Sequence, residues 1–288
     1  MPVAVAFQRA LRRHASRELR DLPWRRTRDP WAVLVSEVML QQTQAPRVVA
    51  HWHRFLARFP TVNACAAAPQ AAVVAAWQRL GYNRRAVALH RTAIAVCERH
   101  AGTFPRDLPE LTALPGIGPY TARALRAFAF EEPAGVLDVN AGRVLARAVA
   151  GRRLLVGEAQ ALADQLCPPD DAWRWNQAML DLGALWCTRR EPRCLGCPVA
   201  EACRWRRGGG EDPALGSAAS SAVQSRFEGS HRQGRGRLLR ALTVGPVARG
   251  NLAMACGWPD DSTQAARAAE GLVRDGLALW REDALRLR

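Results

Sequence analysis

Four cysteines constrain this chain more than any other feature. They follow the spacing Cys187-x6-Cys194-x2-Cys197-x5-Cys203, within seventeen residues. Four thiolates so spaced on a loop containing Pro and Gly can converge on one tetrahedral centre. Zinc and an iron–sulfur cluster both accept such a set, and spacing alone does not separate them. Arg189, Arg190, Glu191 and Arg193 make the loop too polar to be an apolar core. The other four cysteines, Cys65, Cys97, Cys167 and Cys256, are scattered among apolar neighbours. That distribution suits a cytoplasmic protein with one metal centre and four core thiols, not a disulfide framework. Apolar runs such as Ala71–Trp77 are too short to cross a bilayer, and no secretory leader is expected.

The charge balance narrows the partner. Basic residues number 41 against 26 acidic, and all 41 are Arg because the chain contains no Lys. Up to Arg207 there are 30 Arg against 17 acidic residues; beyond it, 11 against 9. A GC-rich genome explains Arg in place of Lys but not the net charge. The first two-thirds therefore suits a polyanion, with nucleic acid the commonest.

At 288 residues the chain has room for two domains and a small third. The pattern is helical through the first 207 residues. Asp29-Pro30 reads as an N-cap with Pro at the first helical position. Trp31, Leu34, Val35 and Val38 then form an apolar stripe, with Pro46 expected to end the helix. Further helices are expected over 70–80, 84–100, 119–130, 141–150, 158–166 and 171–186, with no strand. Residues 208–235, rich in Gly, Ser and Ala, read as a flexible linker. In 236–288, helices are expected at Arg237–Leu242, Ala248–Cys256 and Ser262–Asp275. Strands Leu277–Arg281 and Ala284–Arg288 follow, turning at Glu282-Asp283, which is the layout of a winged helix. Some fifty residues are marginal alone, so this tail is expected to dock on the main body.

Two further motifs carry chemistry. Leu114-Pro-Gly-Ile-Gly-Pro-Tyr-Thr-Ala122 places Gly116 and Gly118 in a tight turn before a helix. Such a turn offers backbone N–H groups and a helix N-terminus to a phosphate, as in a helix–hairpin–helix clamp on duplex DNA. Glu37 stands mid-helix among apolar residues, where burial favours the protonated form that a general acid needs. Asp138, in Leu137-Asp-Val-Asn140, would stabilise positive charge developing on a sugar. A solvated helix residue and a plain N-cap are their bland readings, and capping does not exclude catalysis.

Together these motifs resemble those of the MutY adenine DNA glycosylases. Leu22-Pro-Trp24, Ser36-Glu-Val-Met-Leu-Gln-Gln-Thr-Gln44, Leu80-Gly-Tyr82, the hairpin, Leu137-Asp-x-Asn140, Asn176-Gln-Ala-Met-x-Asp-Leu-Gly183 and the four Cys stand in that family's order. The resemblance spans about residues 7–207. It implies an all-α, two-lobed helix–hairpin–helix fold within domain 1–207: a six-helix lobe over about 29–134, and a cluster-bearing lobe of 1–28 and 135–207. It implies a [4Fe-4S] cluster at Cys187, Cys194, Cys197 and Cys203, and a monomer acting on double-stranded DNA with a mismatched or oxidised base pair. The activity implied is removal of adenine opposite 8-oxoguanine or guanine. Glu37 would protonate adenine, Asp138 would stabilise the oxocarbenium-like sugar, and Asn140 would support it. Tyr120 takes the position where bifunctional relatives carry a Schiff-base Lys. Gln41, Gln42 and Tyr82 would contact DNA, the last two as wedges in the base stack. Trp24, Arg25 and Gln177 would line the adenine pocket. With no Lys, the chain is expected to be a monofunctional glycosylase.

Val139 and Gly142 depart from the family pattern, leaving Arg143 and Arg147 as expected DNA contacts. The tail is too short and too helical for the Nudix-like domain of many members and resembles the ending of shorter ones. Its recognition helix is weighed against a packing role, which the low net charge favours. The rivals are a thymine glycosylase of G·T mismatches in the same superfamily and a non-catalytic iron–sulfur DNA-binding protein. Gln41–Gln44 and Asn176–Met179 favour adenine, and retention of both carboxylates favours an enzyme.

Overall fold

The structure is a computed structural model that describes residues 2–217 and 226–288. In chain order its helices are α1 (Pro2–Ala15), α2 (Pro30–Leu40), α3 (Ala45–Arg58), α4 (Val62–Ala66), α5 (Gln70–Ala76), α6 (Arg84–His100), α7 (Leu108–Thr112) and α8 (Pro119–Phe128). They continue as α9 (Val139–Val144), α10 (Val156–Leu166), α11 (Ala172–Leu185), α12 (Arg204–Gly208), α13 (His231–Val244), α14 (Leu252–Cys256) and α15 (Ser262–Arg274). A π-helical stretch, Leu145–Ala150, prolongs α9. The strands β1 (Val247–Ala248), β2 (Ala278–Arg281) and β3 (Ala284–Leu287) complete the tail. Among the described residues no helix is long and apolar enough to cross a membrane.

The chain divides into two compact units. One comprises Met1–Leu34, Arg106–Thr112 and Ile117–Ala222; the other comprises Val35–Pro105, Ala113–Gly116 and Val223–Arg288. In the first, Phe7 and Leu11 of α1, Val144 of α9 and Trp175 and Leu182 of α11 are buried together. Phe7 meets Trp175 edge to face at 6.1 Å. In the second, Phe55 of α3 meets Trp77 at 5.8 Å, and Val73, Leu89 and Val96 are also buried.

The mostly helical fold follows the sequence pattern, with two local differences in α2 and in the sheet. The α2 stripe stops at Leu40, and Pro46 lies in the first turn of α3. Proline suits that position because the N–H it lacks would have no helical partner. Asp29 does cap α2, accepting from Trp31 N–H at 3.1 Å. The sheet gains a third strand, β1, which pairs with β3 through Val247↔Leu285. Two residues are too few for a visible alternation.

Residues 218–225 of the expected linker lie outside the described residues. Before them, Asp212 pairs with Arg147 at 2.5 Å, and Ser217 Oγ accepts from Leu154 N–H at 3.0 Å. After them, α13 already begins at His231, capped by Ser230. The tail packs α13–α15 around Leu238, Leu242, Cys256, Ala268 and Leu272, with Leu285 of β3. It docks within the second unit, where Gln70 Nε2 of α5 donates to Gly276 O at 2.7 Å.

Candidate active site

Asp138 is built into the start of α9 in the first unit. Its Oδ1 accepts from the N–H groups of Asn140 (2.8 Å) and Ala141 (2.7 Å). Its Oδ2 accepts from Asn140 Nδ2 at 2.7 Å. Burial pushes its pKa above the usual carboxylate value, against these bonds and the nearby Arg143 charge. Asn176, buried on α11, holds the segment leading to it: its Oδ1 accepts from Val136 N–H at 2.9 Å and its Nδ2 donates to Ala134 O at 2.9 Å. Gly183 lets α11 approach α9, since a Cβ there would lie 2.6 Å from Asn140 Cβ.

Arg143 and Arg147 correct the sequence expectation of DNA contacts. Both are buried and turn toward the cysteine loop. Arg143 donates to Asn140 Oδ1 (2.9 Å), Gly183 O (2.6 Å) and Cys187 O (2.5 Å). Arg147 donates to Thr188 O (2.7 Å), Cys187 Sγ (3.4 Å) and Asp212. Carbonyl groups on an irregular loop need donors when buried, and arginine supplies up to five.

Cys187, Cys194, Cys197 and Cys203 line one pocket, together with Val144, Leu182 and Trp205. Burial pushes the Cys197 thiol up to about 11. Four half-buried thiols become four thiolates only with a compensating cation, so the donor set fits a metal centre held by four cysteines.

Trp24 and Arg25 sit in a 3₁₀ turn, both buried, and Gln177 is buried on α11. Arg25 commits both Nη atoms to Asp181, at 2.7 and 2.8 Å. Arg20 adds a third bond at 2.6 Å. Burial would raise the Asp181 carboxyl, but these guanidinium partners hold it below the ordinary carboxylate range. Asp181→Asn would leave Arg25 charged, buried and uncompensated, and is expected to cost about 3–5 kcal/mol. A carboxylate with a lowered pKa contributes stability that is complete above its unfolded value and lost as pH falls through its folded value. Denaturant melts should therefore show a wide gap between wild type and variant at neutral pH and a narrower one in acid. A gap that widens in acid would refute the assignment.

Glu37 is 5% exposed on α2. Within the second unit, the loop after α2 carries Gln41 and Gln42, and the loop after α5 carries Tyr82. Gln42 and Tyr82 adopt left-handed backbone, at φ 54° and 50°. Both loops are tied to one buried side chain, Arg85 of α6, which sequence reasoning missed. Its Nη1 donates to Val38 O (2.7 Å), Met39 O (3.0 Å) and Gln41 O (2.5 Å). Its Nη2 donates to Gly81 O at 3.1 Å, and its guanidinium lies 5.3 Å from the Tyr82 ring centre.

In the turn before α8, Gly116 has φ +81°, and a Cβ on it would strike Ala88 Cβ at 2.8 Å. Gly118 caps α8 with extended backbone, and a Cβ there would meet nothing within 4 Å. That leaves room for a ligand beside the first amides of α8. Tyr120, in the first turn of α8, is half-buried.

A family model described as "HhH-GPD superfamily base excision DNA repair protein" matches residues 35–169. Among solved structures, a thermostable thymine-DNA glycosylase superposes with a TM-score of 0.66 at 26% identity, over 72% of this chain and 98% of that one. A trapped endonuclease III–DNA intermediate gives 0.56 at 24%, a likeness of fold alone. The class is thus the helix–hairpin–helix base excision fold. The adenine DNA glycosylase of Mycolicibacterium smegmatis is 43% identical over 264 residues, spanning 90% of this chain and 87% of that one. That of Mycobacterium tuberculosis is 42% identical over 271 residues (91% and 86%), and the human enzyme 39% over 216 (70% and 40%). The chain belongs to the adenine DNA glycosylase family.

Proposed function

We propose that this protein, acting as a monomer, hydrolyses the N-glycosidic bond of adenine mispaired with 8-oxoguanine or guanine and leaves an intact abasic site. The observation that carries this reading is the half-buried Asp138 carboxylate, held by three hydrogen bonds. A carboxylate made costly by burial gains most when positive charge forms beside it, so it favours the transition state over the ground state. Glu37 donates its proton to adenine N7. The bond from C1′ to adenine breaks with its electron pair going to the base, which leaves neutral. Asp138 stabilises the sugar cation until water adds its oxygen to C1′ and gives its proton to the Glu37 carboxylate, which restores the acid, and Asn140 orients the Asp138 carboxylate. Trp24 and Gln177 border the base. Arg25, engaged with Asp181, acts by shaping that wall.

The Gly116–Gly118 turn holds a DNA phosphate through backbone N–H groups, without reading sequence. Gln42 and Tyr82 fill the stack after the base is extruded. Cys187, Cys194, Cys197 and Cys203 would hold a [4Fe-4S] cluster, which when bound supplies a cross-link fixing the loop after α11. With no lysine amine and with Tyr120 at the bifunctional relatives' Lys position, the sugar is not captured as an imine.

The test is single-turnover base release from duplexes holding A opposite 8-oxoguanine, A opposite G and T opposite G, with Asp138→Asn as control. Adenine release from the first two is expected, abolished in the control, with strand cleavage only after alkali. Thymine release would move the chain to the rival mismatch enzymes. Binding without any release would leave a non-catalytic DNA-binding protein.

A further inference from the structure

The loop carrying Tyr82 is held from outside the glycosylase domain. Arg79, Gly81 and Tyr82 all adopt left-handed backbone, at φ 69°, 84° and 50°. Such a loop persists only where its surroundings over-determine it. Trp77 Nε1 and Arg85 Nη2 donate to Gly81 O from within the lobe, at 3.2 and 3.1 Å. Arg47 of α3 likewise donates to Arg79 O, and Arg85 Nε to Tyr82 O. Further supports come from the tail, in the same compact unit. Gln78, entering the loop, donates to Thr243 Oγ1 near the end of α13 at 3.1 Å. Arg84, leaving it, faces Asp275 at 3.4 Å. Asp275 is itself fixed by Arg235 at 2.5 Å, and the next residue, Gly276, accepts from Gln70 on α5. The tail therefore grips α5, the entry to the loop and the exit from it.

The exposed residues on and beside α15 mix Asp261 and Glu270 with Arg267 and Arg274, so the face of α15 itself is not uniformly basic.

We infer that the C-terminal module is a brace for the Tyr82 loop: by holding Gln78 and Arg84 it fixes where the wedge enters the base stack. The inference rests on the reading of Tyr82 as a wedge given above. Gln78 and Asp275 are thus positioning residues that act through Tyr82.

The test uses the full chain with Gln78→Ala combined with Asp275→Asn, and separately Thr243→Val, which removes the acceptor while keeping the shape. The probe is a mismatched duplex with 2-aminopurine beside the target adenine, whose fluorescence rises on unstacking. Each lost hydrogen bond is expected to slow the fluorescence rise and single-turnover adenine release by about fivefold, the factor one ordinary hydrogen bond carries. Affinity for the duplex should change by less than the rate. Thr243→Val, the milder change, reports on the brace if the double variant melts early. A folded variant with unaltered fluorescence and release kinetics would overturn the brace. So would a loss of affinity matching the loss of rate, since that marks a tail that contacts DNA directly. Absence of adenine release by the wild type would instead overturn the proposed activity, and the fluorescence rise would still report on the brace.

Discussion

Glu37→Gln is expected to bind A·8-oxoguanine duplex about as tightly as wild type while releasing adenine roughly 10²–10⁴-fold more slowly, the range removed with a general acid. The substitution is nearly isosteric. Glutamine is as good a helix former as glutamate, so α2 should keep its shape. Glu37 is almost fully buried beside Val38 and Met39, which are also buried, so a solvated, exchangeable role is excluded by position. Only the transferable proton is lost, and adenine would then have to depart as an anion. Single-turnover release and duplex affinity, measured on the same preparation, separate the two effects. Undiminished release would remove Glu37 from the acid role. Equal loss of affinity would make it a binding residue.

The parts legible in the sequence were those whose physics is local. A capping Asp followed by a helical period names Asp138 as an N-cap, and four Cys within seventeen residues name a centre before any fold is known. The span 84–100 matches α6 at both ends because Asn83 and the left-handed Ala101 bound a continuous apolar stripe. The tail's three helices and hairpin were similarly punctuated by Gly257, Asp261 and Gly276. What escaped was long-range. Arg143 and Arg147 look like free cations in a basic chain, and only the packing of α9 against the cysteine loop turns them inward. The docking of Gln78 on Thr243 spans 165 residues and leaves no periodic trace. Pro46 carried a real signal with two meanings, since proline both ends one helix and begins the next.

Arg85 is the clearest case of a functional residue hidden this way, and its replacement is expected to have the largest effect outside the carboxylates. It is 9% exposed, and burial lowers its pKa to about 10, so it remains a cation at neutral pH. Its position satisfies the last carbonyls of α2, where a positive charge also complements the helix dipole. The same guanidinium donates to Gly81 O and Tyr82 O, so one side chain fixes both loops proposed to enter the DNA stack. Arg85→Met keeps most of the apolar stem and deletes every donor. Several buried carbonyls then lack partners, at about 1–3 kcal/mol for each that water cannot reach. A loss of about 3 kcal/mol overall is expected in denaturant melts, within the range of buried-network disruptions. Arg85→Lys restores the charge but not the fork, and should recover only part of the stability. Measured well below its melting point, Arg85→Met should still bind duplex through the hairpin turn yet extrude adenine slowly, because neither Gln42 nor Tyr82 is pre-positioned. If the folded variant unstacks the target as fast as wild type, the two loops are ordered by the DNA itself, and Arg85 serves stability alone.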